Sequence, residues 1–96
     1  MEQQIEQEIQ AKWLNAPRLT PEMIDACIVG ETYTILPSGR VTVCELTLRN
    51  GYVTLGFSSC VSKENFDAEI GQKIARANAR DKIWELEGYL LRELSK

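Results

Sequence analysis

The sequence predicts an α+β fold, with N-terminal helices, a three-stranded antiparallel meander and a long C-terminal helix. Three observations predict it. Apolar residues recur at four-residue spacing near the start, a β-branched run leads into Asn50-Gly51, and the last third is free of proline with helical periodicity. With 96 residues the chain is read as one small α+β domain over 1–96.

The first element, residues 1–16, reads as an amphipathic helix: Ile5, Ile9 and Trp13 share one stripe with Leu14 beside it, and Pro17 ends it. A short helix over 20–29 follows, with Thr20 placed to cap, Pro21 at the first helical position and Leu19 able to staple onto Ile24.

The meander occupies 31–58. Tyr33 and Ile35 mark the first strand and Pro37-Ser38-Gly39 turns the chain. Val41 to Leu48 forms the second strand, and Asn50-Gly51 suits a type I′ hairpin turn, in which both residues need positive φ. Tyr52 to Ser58 returns as the third. Cys44, Leu46 and Leu48 alternate toward one face, whereas Val41 and Val43 fall on the other, so this strand is either bulged or covered on both faces.

The long helix is expected over 62–95, with Ser62 as its cap and Glu64 and Asp67 in its first turn. One stripe holds Phe66, Ile70, Ile74, Ala77, Trp84 and Leu91; a second holds Ile83, Leu86, Leu90 and Leu94. Unbroken from Lys63 to Leu94 it would run about 48 Å, against a radius of gyration of about 12–13 Å for a compact chain of this length. It must overhang its own domain with apolar surface exposed. Another copy is then expected to cover it, which makes the protein a homo-oligomer; the plainer alternative is that Gly88 breaks the helix and the end folds back.

Composition narrows the function classes. Lys and Arg number 11 against 14 Asp and Glu, and the net charge of -3 argues against duplex nucleic acid or an anionic membrane as partner. No apolar run approaches a membrane span, and MEQQIEQEIQ is acidic and polar, unlike a signal peptide, so a cytoplasmic location is expected. Cys27, Cys44 and Cys60 share no metal-ligand spacing and there is no histidine, so no metal site is read and buried free thiols are expected.

The absence of histidine also removes the usual base for a Ser or Cys nucleophile. No phosphate-cradling glycine loop is present. No catalytic residue and no cofactor is assigned, and the protein is expected not to be an enzyme. Two features can bind. Ser58 and Ser59 run through Cys60, Val61 and Ser62 to Asn65 and Phe66 at the start of the long helix, where hydroxyls and backbone N–H groups favour an anion and the ring can stack on a base. Their plainer reading is a capping loop with a core phenylalanine. Lys73, Arg76 and Arg80 share one helical face; their plainer and favoured reading is a solvated face neutralised by Glu69.

From Cys44 to Leu91 the chain resembles the small proteins of the bacteriophage gene-product 49/66 family. The residues that carry the resemblance are Asn50-Gly51, Ser58-Ser59-Cys60-Val61, Asn65-Phe66-Asp67, Glu69-Ile70-Gly71 and Ile83-Trp84-Glu85-Leu86-Glu87-Gly88-Tyr89. Lys63 stands where many relatives have proline after the capping serine. The chain also looks like the phage Thoeris anti-defence 1 proteins, which sequester cyclic ADP-ribose immune signals. That likeness implies a non-catalytic oligomeric sponge in the host cytoplasm with a small nucleotide ligand, Asn65 and Phe66 on its adenine or ribose and Arg76 or Arg80 on its pyrophosphate. The alternative is an oligomeric protein-protein interaction module without a small-molecule pocket.

Overall fold

The computed structural model describes residues 18–95. The helix expected over Met1–Ala16 lies outside the described residues. The elements run α1 (Pro21–Cys27), β1 (Ile28–Ile35), β2 (Val41–Leu48), β3 (Val53–Ser59), a single 3₁₀ turn (Lys63–Asn65) and α2 (Ala68–Leu94). The fold is α+β, with an antiparallel sheet in the order β1-β2-β3 and the long helix across one face.

α1 begins as its sequence requires. The Thr20 hydroxyl accepts the Met23 N–H at 3.2 Å, and Pro21 opens the helix. Leu19 packs on the core that contains Ile24. The helix stops at Cys27, and β1 starts at once with Ile28, three residues earlier than the meander was expected.

The β2–β3 hairpin differs from the expected two-residue turn. Leu48 donates to the Tyr52 carbonyl at 2.8 Å and Gly51 donates to the Leu48 carbonyl at 2.8 Å, leaving a three-residue loop, Arg49 to Gly51. Gly51 takes φ 90°, the left-handed value that such loops place at their last residue. Asn50 Oδ1 accepts the Tyr52 N–H at 3.0 Å. β2 pairs with β3 without interruption, and the one register shift in the sheet lies between Ile28 and Gly30. Val41 and Val43 therefore face away from the core on an unbulged strand.

Cys44, Leu46 and Leu48 of β2, with Ile24, Cys27, Ala75, Ala79 and Ile83, form the core. The helix meets the sheet through Gly71, Ala75, Ala79 and Ile83, one residue per turn. Neither large-residue stripe read from the sequence is the buried face as a whole: Ile70 and Ile74 are 55% and 47% exposed. The reason lies in β3, where Gly56 has no side chain and the helix backbone descends into the gap. Small residues permit that approach; isoleucines would block it.

α2 also starts later than expected. Ser62 makes no side-chain cap, Phe66 is extended (φ -67°, ψ 128°) and ends the 3₁₀ turn, and the cap falls to Asp67, whose Oδ1 accepts the Ile70 N–H at 3.1 Å. Gly88 does not interrupt the helix, whose 27 residues run about 40 Å. The molecule is elongated, 49 × 30 × 18 Å, with a radius of gyration of 16.0 Å. Beyond Ile83, the side chains of Leu86, Tyr89, Leu90 and Leu94 are exposed.

Candidate functional site

The junction of β3 with α2 forms a cleft of about 110 Å³. Ser58 and Ser59 close β3, Asn65 and Phe66 leave the 3₁₀ turn, and Gly71, Ile70 and Ile74 supply the α2 wall. The sequence-predicted residues Ser58, Ser59, Asn65 and Phe66 thus meet at one place. Ser58 Oγ donates to the Gly71 carbonyl at 2.9 Å, which ties the strand to the helix and leaves its oxygen able to accept. Cys60 half-faces the same space, its thiol donating to the Ser62 carbonyl at 3.2 Å.

A fifth polar group joins them. Arg40, at the start of the hairpin, lines the cleft and donates to the Val61 carbonyl at 3.4 Å, while its own carbonyl accepts the Cys60 N–H at 2.9 Å. Sequence reading did not assign it. The signal was available in the register: a hairpin centred on Asn50 sets Val41 opposite Ser59, so the preceding residue arrives beside Cys60.

The electrostatics differ from the expected anion site at a helix N-terminus. Asp67 places its carboxylate at the start of α2 and uses it as the cap, so that end of the helix is already served by a negative group. Any anion in the cleft depends on the Arg40 guanidinium.

Arg76 and Arg80 lie elsewhere. They occupy the flank of α2 that faces α1 and β1, around an open hollow also lined by Asp25 and Lys73. Arg76 Nε pairs with Glu31 Oε1 at 3.1 Å, Arg80 Nε pairs with Asp25 Oδ1 at 2.8 Å, and Arg80 also donates to the Pro21 carbonyl at 3.2 Å. Lys73 pairs with Glu69 at 3.4 Å with both groups in solvent. In this chain the two arginines hold α1 and β1 to the long helix, and the structure does not bring them to the cleft. Nearby, Tyr33 donates to Glu31 at 2.7 Å. That bond, then the one from Arg76, holds the Glu31 carboxyl below its ordinary range. Burial and the Glu31 carboxylate push the Tyr33 phenol up.

The other titratable groups in the core are thiols. Burial pushes the Cys27 and Cys44 thiols up, and Cys27 also donates to Glu87 at 3.4 Å, so both are inert core groups at neutral pH. Among the described residues no group of three or more His, Cys, Asp or Glu is placed to hold a metal ion, and no helix is long and apolar enough to cross a membrane.

With this geometry in view, residues 19–94 match the model of the Phage protein (N4 Gp49/phage Sf6 gene 66) family. The chain belongs to that family. The match takes in α1, the whole sheet, the residues of the cleft from Arg40 to Ile74, and α2. No curated protein and no solved structure matches the chain. The family's description names phages and no activity, which leaves function to be argued from the site.

Proposed function

We propose that this phage protein works by binding, without catalysis, and that it sequesters a small nucleotide signal of the cyclic ADP-ribose or cyclic oligonucleotide class. The observation that carries this reading is the convergence of Arg40, Ser59, Asn65 and Phe66 on one cleft. A guanidinium suits a phosphate in bidentate fashion, an asparagine amide offers donor and acceptor to a base edge, and a half-buried ring offers a stacking surface. A sequence without histidine has no ordinary proton shuttle for turning such a ligand over.

Size shapes the reading. A site that encloses a small molecule commonly has about 300–1,000 Å³, whereas this cleft has about 110 Å³. It seats one moiety, a base or a phosphate, and the remainder would lie over Ile70 and Ile74 or against a second copy. The resemblance to anti-defence sponges supports that arrangement, since sponges of that kind are oligomers.

A second reading is favoured by a specific observation. The overhang of α2 exposes Leu86 at 40%, Leu90 at 48%, Tyr89 at 72% and Leu94 at 76%, more apolar surface in one stretch than an isolated helix end needs. On that reading the protein is an oligomeric interaction module without a small-molecule pocket.

Calorimetry with cyclic ADP-ribose isomers and cyclic oligonucleotides separates them. The first reading expects one ligand of the panel to bind, to be recovered intact after heat denaturation, and to be lost on Phe66→Ala or Arg40→Ala. No heat from any member at micromolar protein would leave the interaction module.

A further inference from the structure

The two edges of the sheet are built differently. Among the described residues no strand lies beyond β1 or β3, so each edge presents a row of backbone groups that another strand can pair. β1 blunts its edge with the register shift between Ile28 and Gly30 and with the charged Glu31. β3 carries neither device. Its pairing with β2 is regular, and from Asn50 to Ser62 the sequence has no charged residue and no proline.

The register fixes which groups of β3 face the edge. At one end of the hairpin Leu48 donates to the Tyr52 carbonyl, and at the other Cys60 donates to the Arg40 carbonyl. With an unbroken ladder between them, Thr54, Gly56 and Ser58 turn their N–H and C=O groups to β2, and Val53, Leu55, Phe57 and Ser59 turn theirs away. Asn78 agrees with that phase: its Nδ2 donates to the Phe57 carbonyl at 2.9 Å, where the N–H of a fourth strand would stand. That carbonyl has a second lone pair for such a strand.

A groove runs along this edge. α2 crosses above β3, and Ile74, Asn78 and Lys82 follow at four-residue spacing down its flank. Ile74 walls the cleft beside Ser59. Lys82 and Leu86 share an open hollow of about 350 Å³ with Val53 and Leu55. From position 53 to position 59 the edge spans about 20 Å, enough for an incoming segment of about six residues.

A second copy entering through its own β3 does not fit. Gly56 lies directly beneath the backbone of Ala75 and Ala79. Two β3 strands paired across Gly56 would stand about 4.8 Å apart and carry their α2 helices at nearly the same spacing, whereas packed helices need about 8–10 Å. A bare strand brings no helix with it. Its alternate side chains would rise against the α2 flank, where Ile74 and Leu86 favour apolar groups. We propose that the β3 edge, roofed by α2, is a docking groove for an extended, proline-free peptide segment of a partner protein, bound by strand addition with apolar side chains at alternate positions.

Selection from a random decapeptide library against the full-length protein tests this. The enriched peptides should lack proline and alternate apolar with other residues. The best of them, synthesised, should slow amide exchange at Val53, Leu55, Phe57 and Ser59. N-methylation at alternate peptide residues should weaken binding about tenfold per site, and the intervening residues should tolerate it. Leu55→Pro removes only an edge-facing N–H, so it should keep its far-ultraviolet circular dichroism and lose the peptide; if it unfolds, the N-methyl series on the unaltered protein still decides. No enriched peptide, protection at other amides, or equal loss at every N-methylated residue would overturn the proposal. So would slow exchange of those four amides in the free protein at low micromolar concentration, since the edge would then be covered already by residues 1–17 or by a second copy.

Discussion

Gly56 lies directly beneath the α2 backbone at Ala79. A Cβ built on it would overlap the Ala79 nitrogen and the Ala75 carbonyl oxygen, and would stand 2.8 Å from the Asn78 carbonyl carbon. This contact sets the height of the long helix above the sheet. It explains why the buried stripe is Gly71, Ala75, Ala79 and Ile83, and it positions Gly71 as a wall of the cleft. The obstacles are backbone atoms, which cannot rotate away. Gly56→Ala should therefore destabilise the protein by about 3 kcal/mol, at the upper end of overpacking effects. Gly88→Ala, where nothing lies within 4 Å, should stabilise it by about 1 kcal/mol through helix propensity alone. Urea denaturation of the two variants checks both signs.

Two buried hydroxyls carry the opposite lesson. Thr42 and Thr54, 1% and 4% exposed, have no hydrogen-bond partner for Oγ1 among the described residues. Leaving a buried hydroxyl unsatisfied costs about 1–3 kcal/mol. Thr42→Val and Thr54→Val, which keep the branched shape, should each leave stability unchanged or raise it by about 1 kcal/mol. A loss on Thr42→Val would reveal a partner for that hydroxyl beside Ser58 and Gly71.

The cations on the β1 side of α2 should rank by burial. The Arg80 side chain is 12% exposed and joins Asp25 and the Pro21 carbonyl to the helix, so Arg80→Ala should cost about 2 kcal/mol by loosening α1. Lys73 and Glu69 are both in solvent, and Lys73→Ala should have no measurable effect. Thermal melts at low and high salt distinguish them.

Stability should fall on both sides of neutrality, for reasons centred on Tyr33 and Glu31. Glu31 titrates below its usual value of 4.5 in the fold, so its contribution is present above that pH and is lost as pH falls through the lower folded value. Tyr33 titrates above its usual value of 10.0, so its contribution is present below pH 10 and is lost as pH rises further. Cys27 and Cys44, raised from 9.0, act in the same direction as Tyr33. Glu31→Gln should flatten the acid limb of denaturation midpoint against pH, and Tyr33→Phe should flatten part of the alkaline limb.

Where the sequence was legible, local chemistry decided the outcome. The Thr20 cap, the positive φ at Gly51 and the alternation of Cys44, Leu46 and Leu48 each depend on a few adjacent residues, and the structure has all three. The buried face of α2 was not legible, because periodicity follows large apolar residues while the packing was decided by a glycine on another element. The helix start moved from Ser62 to Asp67 because two capping residues compete within six positions and the extended Phe66 selects the second. At the cleft, the two pairs Ser58-Ser59 and Asn65-Phe66, close in sequence, were found together. Arg40 was not, since only strand register brings it there, and Arg76 and Arg80 were drawn to Glu31 and Asp25 instead.

The claim that most of this rests on is that the cleft between β3 and α2 receives a nucleotide ligand. Mapping backbone amide shifts in the full-length protein during titration with the cyclic ADP-ribose and cyclic oligonucleotide panel tests it most directly. The account predicts saturable changes for one ligand, concentrated at Arg40, Ser59, Cys60, Asn65 and Phe66. Changes confined to the Arg76–Arg80 flank or the overhang of α2, or none with any ligand, would contradict it.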